Sequence, residues 1–203
     1  MIDGKKELLN RVENTVLYEN ENFVVLPELG SFAKRQCLIF PREHLLSSAY
    51  QTGQQNTEFV NLTESLRKQF YDKFKENFIL FEHGSGLDTV KTSDDSILHG
   101  HTHLIPGLTW QKVLDELSKH YKMSPMIFLE KIKNYEDANF NLLHGENGEA
   151  FINNEKWSSQ FIRLISCMLM DIPLEHHNWR KHKFIGNIKE TINDFQDIRK
   201  TLG

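Results

Sequence analysis

The sequence predicts an α+β fold: a twisted antiparallel sheet of about five strands with a long helix packed on it, plus a helical C-terminal extension. Short apolar runs separated by turn residues occupy the stretch up to Phe40, and residues 55–75 repeat large apolar side chains at helical spacing. Beyond Pro106 the pattern becomes mostly helical.

Each element has its own signal. The runs at 16–18, 23–26 and 37–40 are separated by the polar Glu19-Asn20-Glu21-Asn22 and by the Gly30-Ser31 region, the spacing of strands joined by turns in an antiparallel meander. Phe59, Leu62, Leu66, Phe70 and Phe74 recur every three or four residues among charged neighbours, which describes one amphipathic helix lying across the sheet. Residues 78–81 form a further apolar run. A polar loop over 84–96 then leads into the next strand, and its length and position mark it as a candidate lid or substrate loop. Helices are expected over 110–120, 125–133, 157–170 and 184–199, with a hairpin over 139–153 turning at Glu146-Asn147-Gly148. Residues 1–108 are therefore expected to form one unit, and 109–203 an extension of helices and a hairpin packed on the same core.

Composition bounds the function. A chain of 203 residues, 39% hydrophobic and with 14 Phe, can bury a core of its own. A formal charge of −4 lacks the overall Lys/Arg excess that gives nonspecific nucleic-acid affinity, so any phosphate site must be local. Cys37 and Cys167 each sit in apolar stretches, as free thiols packed as small hydrophobes do. No apolar run approaches the roughly 18 residues needed to cross a bilayer. These features point to a reduced, cytoplasmic protein without a membrane partner.

The most informative run is Ile97-Leu98-His99-Gly100-His101-Thr102-His103-Leu104-Ile105-Pro106, with an imidazole at every second position. On a strand all three rings would leave one face. Packed histidines are one reading, although three clustered imidazolium ions repel one another. Metal ligation is a second, since neutral imidazoles bind zinc, but no CxxC or HExxH pattern accompanies them. Phosphoryl chemistry is the third: an imidazole can attack phosphorus while its neighbours donate to the phosphate oxygens.

At this point the chain resembles the histidine triad superfamily of nucleotide hydrolases and transferases, whose mark is His-x-His-x-His followed by two apolar residues. The upstream Leu38-Ile39-Phe40-Pro41-Arg42-Glu43-His44 is similar to the family's apolar strand, Pro, basic residue and His. Phe81-Glu82-His83-Gly84, Ser159-Gln160-Phe161-Ile162-Arg163 and Trp179-Arg180 look like segments of a bacterial subgroup with a C-terminal extension. The resemblance implies that His101 attacks an α-phosphorus, His103 binds the phosphate oxygens, His99 orients or polarises the site, and His44 stands behind them. It implies substrate contacts from Glu28, at a position that bonds ribose hydroxyls in relatives though a solvated turn carboxylate fits as well, and from Glu82, while Gln160 and Arg163, one helical turn apart, could contact substrate or simply cap the domain. It requires no cofactor at the triad, no bound metal is expected, and a homodimer is compatible with it. The departures are Gly100 and Thr102 between the histidines, Leu98 before them, and Arg35-Gln36 where a Gly-His usually opens the upstream strand.

Three functions follow as expectations. The first is an enzyme cleaving or transferring a nucleoside monophosphate from a nucleoside phosphate derivative through a nucleotidyl-histidine at His101. The second is a nucleotide-binding regulatory module with little turnover, and the third a metal-assisted phosphohydrolase with the three histidines as ligands. The basic segment from His176 to Lys183, with Trp179 in it, would suit a polyphosphate or a nucleic-acid end; its simpler reading is a solvated loop anchored by Trp179.

Overall fold

The structure, a computed structural model, describes residues 12–47, 53–84, 99–127, 140–146, 148–155, 157–158 and 160–202. Its strands are β1 (Tyr18–Glu19), β2 (Phe23–Pro27), β3 (Cys37–Pro41), β4 (Phe78–Gly84), β5 (Thr102–Pro106), β6 (Ser124–Ile127), β7 (Phe140–His144) and β8 (Glu149–Asn153). They join in one 8-stranded sheet ordered β1-β2-β3-β5-β4-β7-β8-β6, with each neighbouring pair antiparallel. The helices are α1 (Gln54–Phe74), α2 (Trp110–Ser118), α3 (Phe161–Leu169) and α4 (Ile185–Ile198).

This corrects the expected fold in two respects. The sheet has eight strands rather than about five, and the C-terminal half is not a helical extension, because β6, β7 and β8 continue the sheet from the edge of β4. The physical reason is edge satisfaction: β7 pairs with β4 over five positions, Leu80↔His144 to Gly84↔Phe140, and supplies partners to backbone groups that would otherwise form an open edge. The apolar pattern of residues 125–133 predicts a helix there. Pro125 instead lies in β6, the last strand in the order, and an edge strand tolerates a residue without an N–H. The rest of that segment, 128–133, lies outside the described residues, as do Leu98 and the candidate lid from 85 onward.

Both faces of the sheet are covered. Alternation in β2 and β3 sends Phe23, Val25, Cys37 and Ile39 to one face, where they meet Phe59, Leu62, Leu66 and Phe70 of α1 with Phe195 and Ile198 of α4. Phe70 packs edge-on against Phe78, with ring centroids 5.0 Å apart, and burying such a ring stabilises by roughly 1.5–3 kcal/mol. Helix α1 stops at Lys75, whose left-handed backbone (φ 56°) lets its N–H donate to the Tyr71 carbonyl and the following Glu76 N–H to the Phe70 carbonyl. On the opposite face Ile79, Phe81, Ile105 and Leu143 pack with Val113 and Leu117 of α2, Ile162 and Cys167 of α3, and Trp157. Trp157 precedes the helix expected from 157: α3 begins only after Gln160, a residue at φ 65°.

Arg35 and Gln36 acquire a role from this packing. Arg35 pairs with Glu76 at 2.6 Å and Asp194 at 2.7 Å, tying the chain after α1 to α4, while Gln36 is buried beside Glu28.

Candidate functional site

The histidine run is not one strand. Strand β5 starts at Thr102, so only His103 belongs to it, and His99 and His101 lie on the irregular segment leading in. Gly100 explains the break. Its N–H donates to the Leu45 carbonyl at 2.6 Å, and a Cβ on it would stand 2.6 Å from the backbone N and Cα of Ser47. The segment after β3 thus lies directly on the histidine approach, which only glycine permits. Gly100→Ala is expected to cost about 1–3 kcal/mol in urea denaturation by pushing this backbone away. Gly186→Ala, where nothing lies within 4 Å, should cost nothing.

The rings nevertheless gather. His101 and His103 are edge-to-face with centroids 5.0 Å apart, and Phe40 stacks on His101 at 5.6 Å. His99 sits 5.1 Å from His44 and 5.9 Å from Phe40. His44 is exposed, and the other three histidines are partly buried.

Two hydrogen bonds fix protons. Nδ1 of His101 lies 3.0 Å from the His99 carbonyl and Nε2 of His99 lies 2.7 Å from the Pro41 carbonyl. A carbonyl only accepts, so each of these nitrogens carries the hydrogen and donates it, which leaves Nε2 of His101 with its lone pair. Burial, reinforced by the neighbouring His103, lowers the His101 pKa to about 4 against the partial opposition of the His99 carbonyl and Glu28. His101 is therefore a neutral imidazole at neutral pH.

Behind His103 lies Glu28, 4% exposed. Nδ1 of His103 is 3.3 Å from its Oε1, Nε2 of Gln36 donates to its Oε2 at 2.8 Å, and Nη1 of Arg163 donates to Oε1. Burial alone would raise the carboxyl pKa, but Arg163, His103 and Gln36 prevail and hold it down at about 2. Arg163 is fixed in turn: Nε donates to the His177 carbonyl at 2.8 Å and Nη2 to the Gly30 carbonyl at 2.6 Å, while its guanidinium lies 5.0 Å over the Phe32 ring. Gly30, at φ +82°, has no room for a Cβ beside Trp179.

The sequence-derived residues thus fall into three places. His44, His99, His101 and His103 form one aromatic cluster. Glu28 and Arg163 form a buried pair against His103, and Gln160 joins this region through its Oε1, which accepts from the Trp179 N–H at 3.2 Å. Glu82 is elsewhere. Phe81 is opposite His103 across β4 and β5, so the next residue, fully buried, points to the face covered by α1. The same alternation brings His83 onto the histidine face, where its Nδ1 meets Oδ1 of Asn141 at 2.8 Å. The sequence reading did not single out these two residues; Phe81-Glu82-His83-Gly84 marked the segment but not which face each residue takes.

Cys37 is buried, and burial followed by the negative Glu28 pushes its thiol well above the ordinary range, which makes it a packing residue. Among the described residues no group of three His, Cys, Asp or Glu side chains is arranged to hold a metal ion. Among them, too, no helix is long and apolar enough to cross a membrane. Comparison with known proteins returns no matching family model and no similar curated protein.

Proposed function

We propose that this protein is a nucleotide hydrolase or nucleotidyltransferase of the cytoplasm, acting on the α-phosphate of a nucleoside phosphate derivative in the manner of the histidine triad superfamily. The observation that carries this reading is the state of His101: neutral, with its Nδ1 hydrogen committed to the His99 carbonyl and its Nε2 lone pair free, 5.0 Å ring to ring from a second imidazole. That is an imidazole prepared as a nucleophile.

In the first step the Nε2 lone pair attacks the α-phosphorus, an N–P bond forms, and the bond to the leaving group breaks with its electron pair going to the leaving atom. A proton reaches that atom as it departs. In the second step water or another acceptor attacks the same phosphorus, the N–P bond breaks, the electron pair returns to Nε2 and the acceptor loses its proton. His103 lies beside the nucleophile and, when it carries a proton on Nε2, gives that proton to the departing atom in the first step and takes one from the acceptor in the second.

The test is intact-protein mass spectrometry after brief incubation with adenosine phosphoramidate, dinucleoside polyphosphates and nucleotide sugars, with product chromatography. An adduct of nucleoside-monophosphate size, absent in His101→Ala, is the expected result. Saturable binding with neither adduct nor product overturns it in favour of the regulatory module, and stoichiometric zinc lost in His101→Ala overturns it in favour of a metal-assisted hydrolase.

The pH dependence is a separate check. The neutral ring is the reactive form, and its pKa lies at about 4 rather than at the ordinary 6.5. Single-turnover rates should stay level as pH falls from neutral to about 5 and drop through about pH 4, read within the range where circular dichroism shows native structure. A drop centred near 6.5 would contradict the neutral buried ring.

A further inference from the structure

Glu28 and Arg163 take no part in the steps above, yet both converge on His103. The structure assigns Glu28, anchored by Arg163, as a positioning residue that holds the hydrogen of His103 on Nδ1 and so leaves Nε2 as the only ring nitrogen free to meet a bound phosphate. This assignment rests on the nucleotidyl-transfer reading of His101.

The argument begins with what the carboxylate can do. Ionised Glu28 only accepts hydrogen bonds, and each group facing it offers a hydrogen: Nη1 of Arg163 and Nε2 of Gln36 do so directly. Nδ1 of His103 is buried and faces Oε1 of Glu28 at 3.3 Å, close enough for an ion pair though not aligned as a hydrogen bond, and no other polar group partners it. Were that nitrogen bare, its lone pair would face a carboxylate in a site that excludes water, so the hydrogen belongs there. The ring is 18% exposed although Nδ1 is buried, so its open edge lies away from Glu28. Any proton that His103 gives or takes at the phosphate therefore moves at Nε2.

Arg163 makes the arrangement permanent. Its guanidinium is clamped by the carbonyls of Gly30 and His177, so Glu28 can neither rotate away from His103 nor gain a proton near neutral pH. This also reassigns Glu28 from the ribose contact that the resemblance implied: both carboxylate oxygens are occupied from within the protein.

The experiment is long-range ¹H–¹⁵N NMR of the full-length protein labelled at histidine, at about pH 8, above the ordinary imidazole range, with His103 assigned by His103→Gln. His103 should carry its hydrogen on Nδ1. In Glu28→Gln, whose amide offers hydrogens, the population should shift toward the Nε2–H form. kcat should then fall about 100-fold with KM within about threefold, because proton handling is lost while ground-state contacts stay. Glu28→Asp, which keeps the carboxylate, should recover part of kcat. A bare Nδ1 in the wild-type protein overturns the assignment by itself, even where Glu28→Gln does not fold, and so does a Glu28→Gln protein with unchanged tautomer and kcat. The NMR arm needs no turnover. A tautomer that follows Glu28 in a protein forming no His101 adduct would reject the transfer reading and leave the contact to His103 standing.

Discussion

Turnover in His101→Ala is expected to fall by about 10⁴-fold or more, with nucleotide affinity kept within about tenfold. The asymmetry follows from what the side chain supplies. In the proposed transfer its Nε2 lone pair is the attacking atom, which no other group replaces, whereas ground-state grip on a nucleotide would also draw on the neighbouring His103 and the Phe40 ring stacked on His101. Stopped-flow or chromatographic assays beside calorimetric titration separate the two quantities. A variant turning over near the wild-type rate would remove His101 from the chemistry, and one that loses affinity in proportion to rate would make it a binding residue. Truncating the exposed His44, which touches His99 rather than His101, should change turnover far less.

Arg163→Met should be the most damaging substitution for stability, at about 3–5 kcal/mol in chemical denaturation. The cost is not the loss of an attractive pair, whose formation is largely offset by stripping water from two ions. It is the charge left behind: Glu28, 4% exposed, would keep His103 and Gln36 but no formal cation fixed beside it, and the carbonyls of Gly30 and His177 would lose their donors. Adding Glu28→Gln to Arg163→Met should therefore cost less than Glu28→Gln costs alone, with a coupling of about 1 kcal/mol or more in the double-mutant cycle. Strict additivity would mean that the two side chains do not depend on each other.

The sequence shows some of this plainly and some not at all. Periodicity carries α1, because Phe59, Leu62, Leu66 and Phe70 face one core, and alternation carries β2 and β3, because only one face of each is buried. The hairpin of β7 and β8 was legible from its turn, but that it continues the sheet from β4 was not, for the opposite reason. All five residues of β7 are buried, and a short apolar run without period is equally compatible with a helix or a packed hairpin until its partner strand is known. His101 and His103 were recognisable by spacing, but the break before Thr102 depends on a contact between Gly100 and Ser47, which no local pattern encodes. Glu28 and Arg163 were each marked as substrate residues, and their pairing with one another is a tertiary fact. Glu82 shows the cost of reading a strand without its register: one step from Phe81 takes it through the sheet to the other side.

The contact between Glu28 and Arg163 spans 135 positions. A ribosome adding about 5–20 residues per second needs on the order of ten seconds to make the second residue after the first. From His103 onward the nascent chain holds the histidines but not yet the cation that keeps the carboxylate behind them ionised in a dry interior, and β4 waits for β7 until residue 144 is made. The site is therefore assembled late in the life of the nascent chain. Chains stalled before residue 163 should be protease-sensitive around Glu28, and completion of the buried Glu28–Arg163 pair behind His103 is timed to the arrival of the C-terminal third.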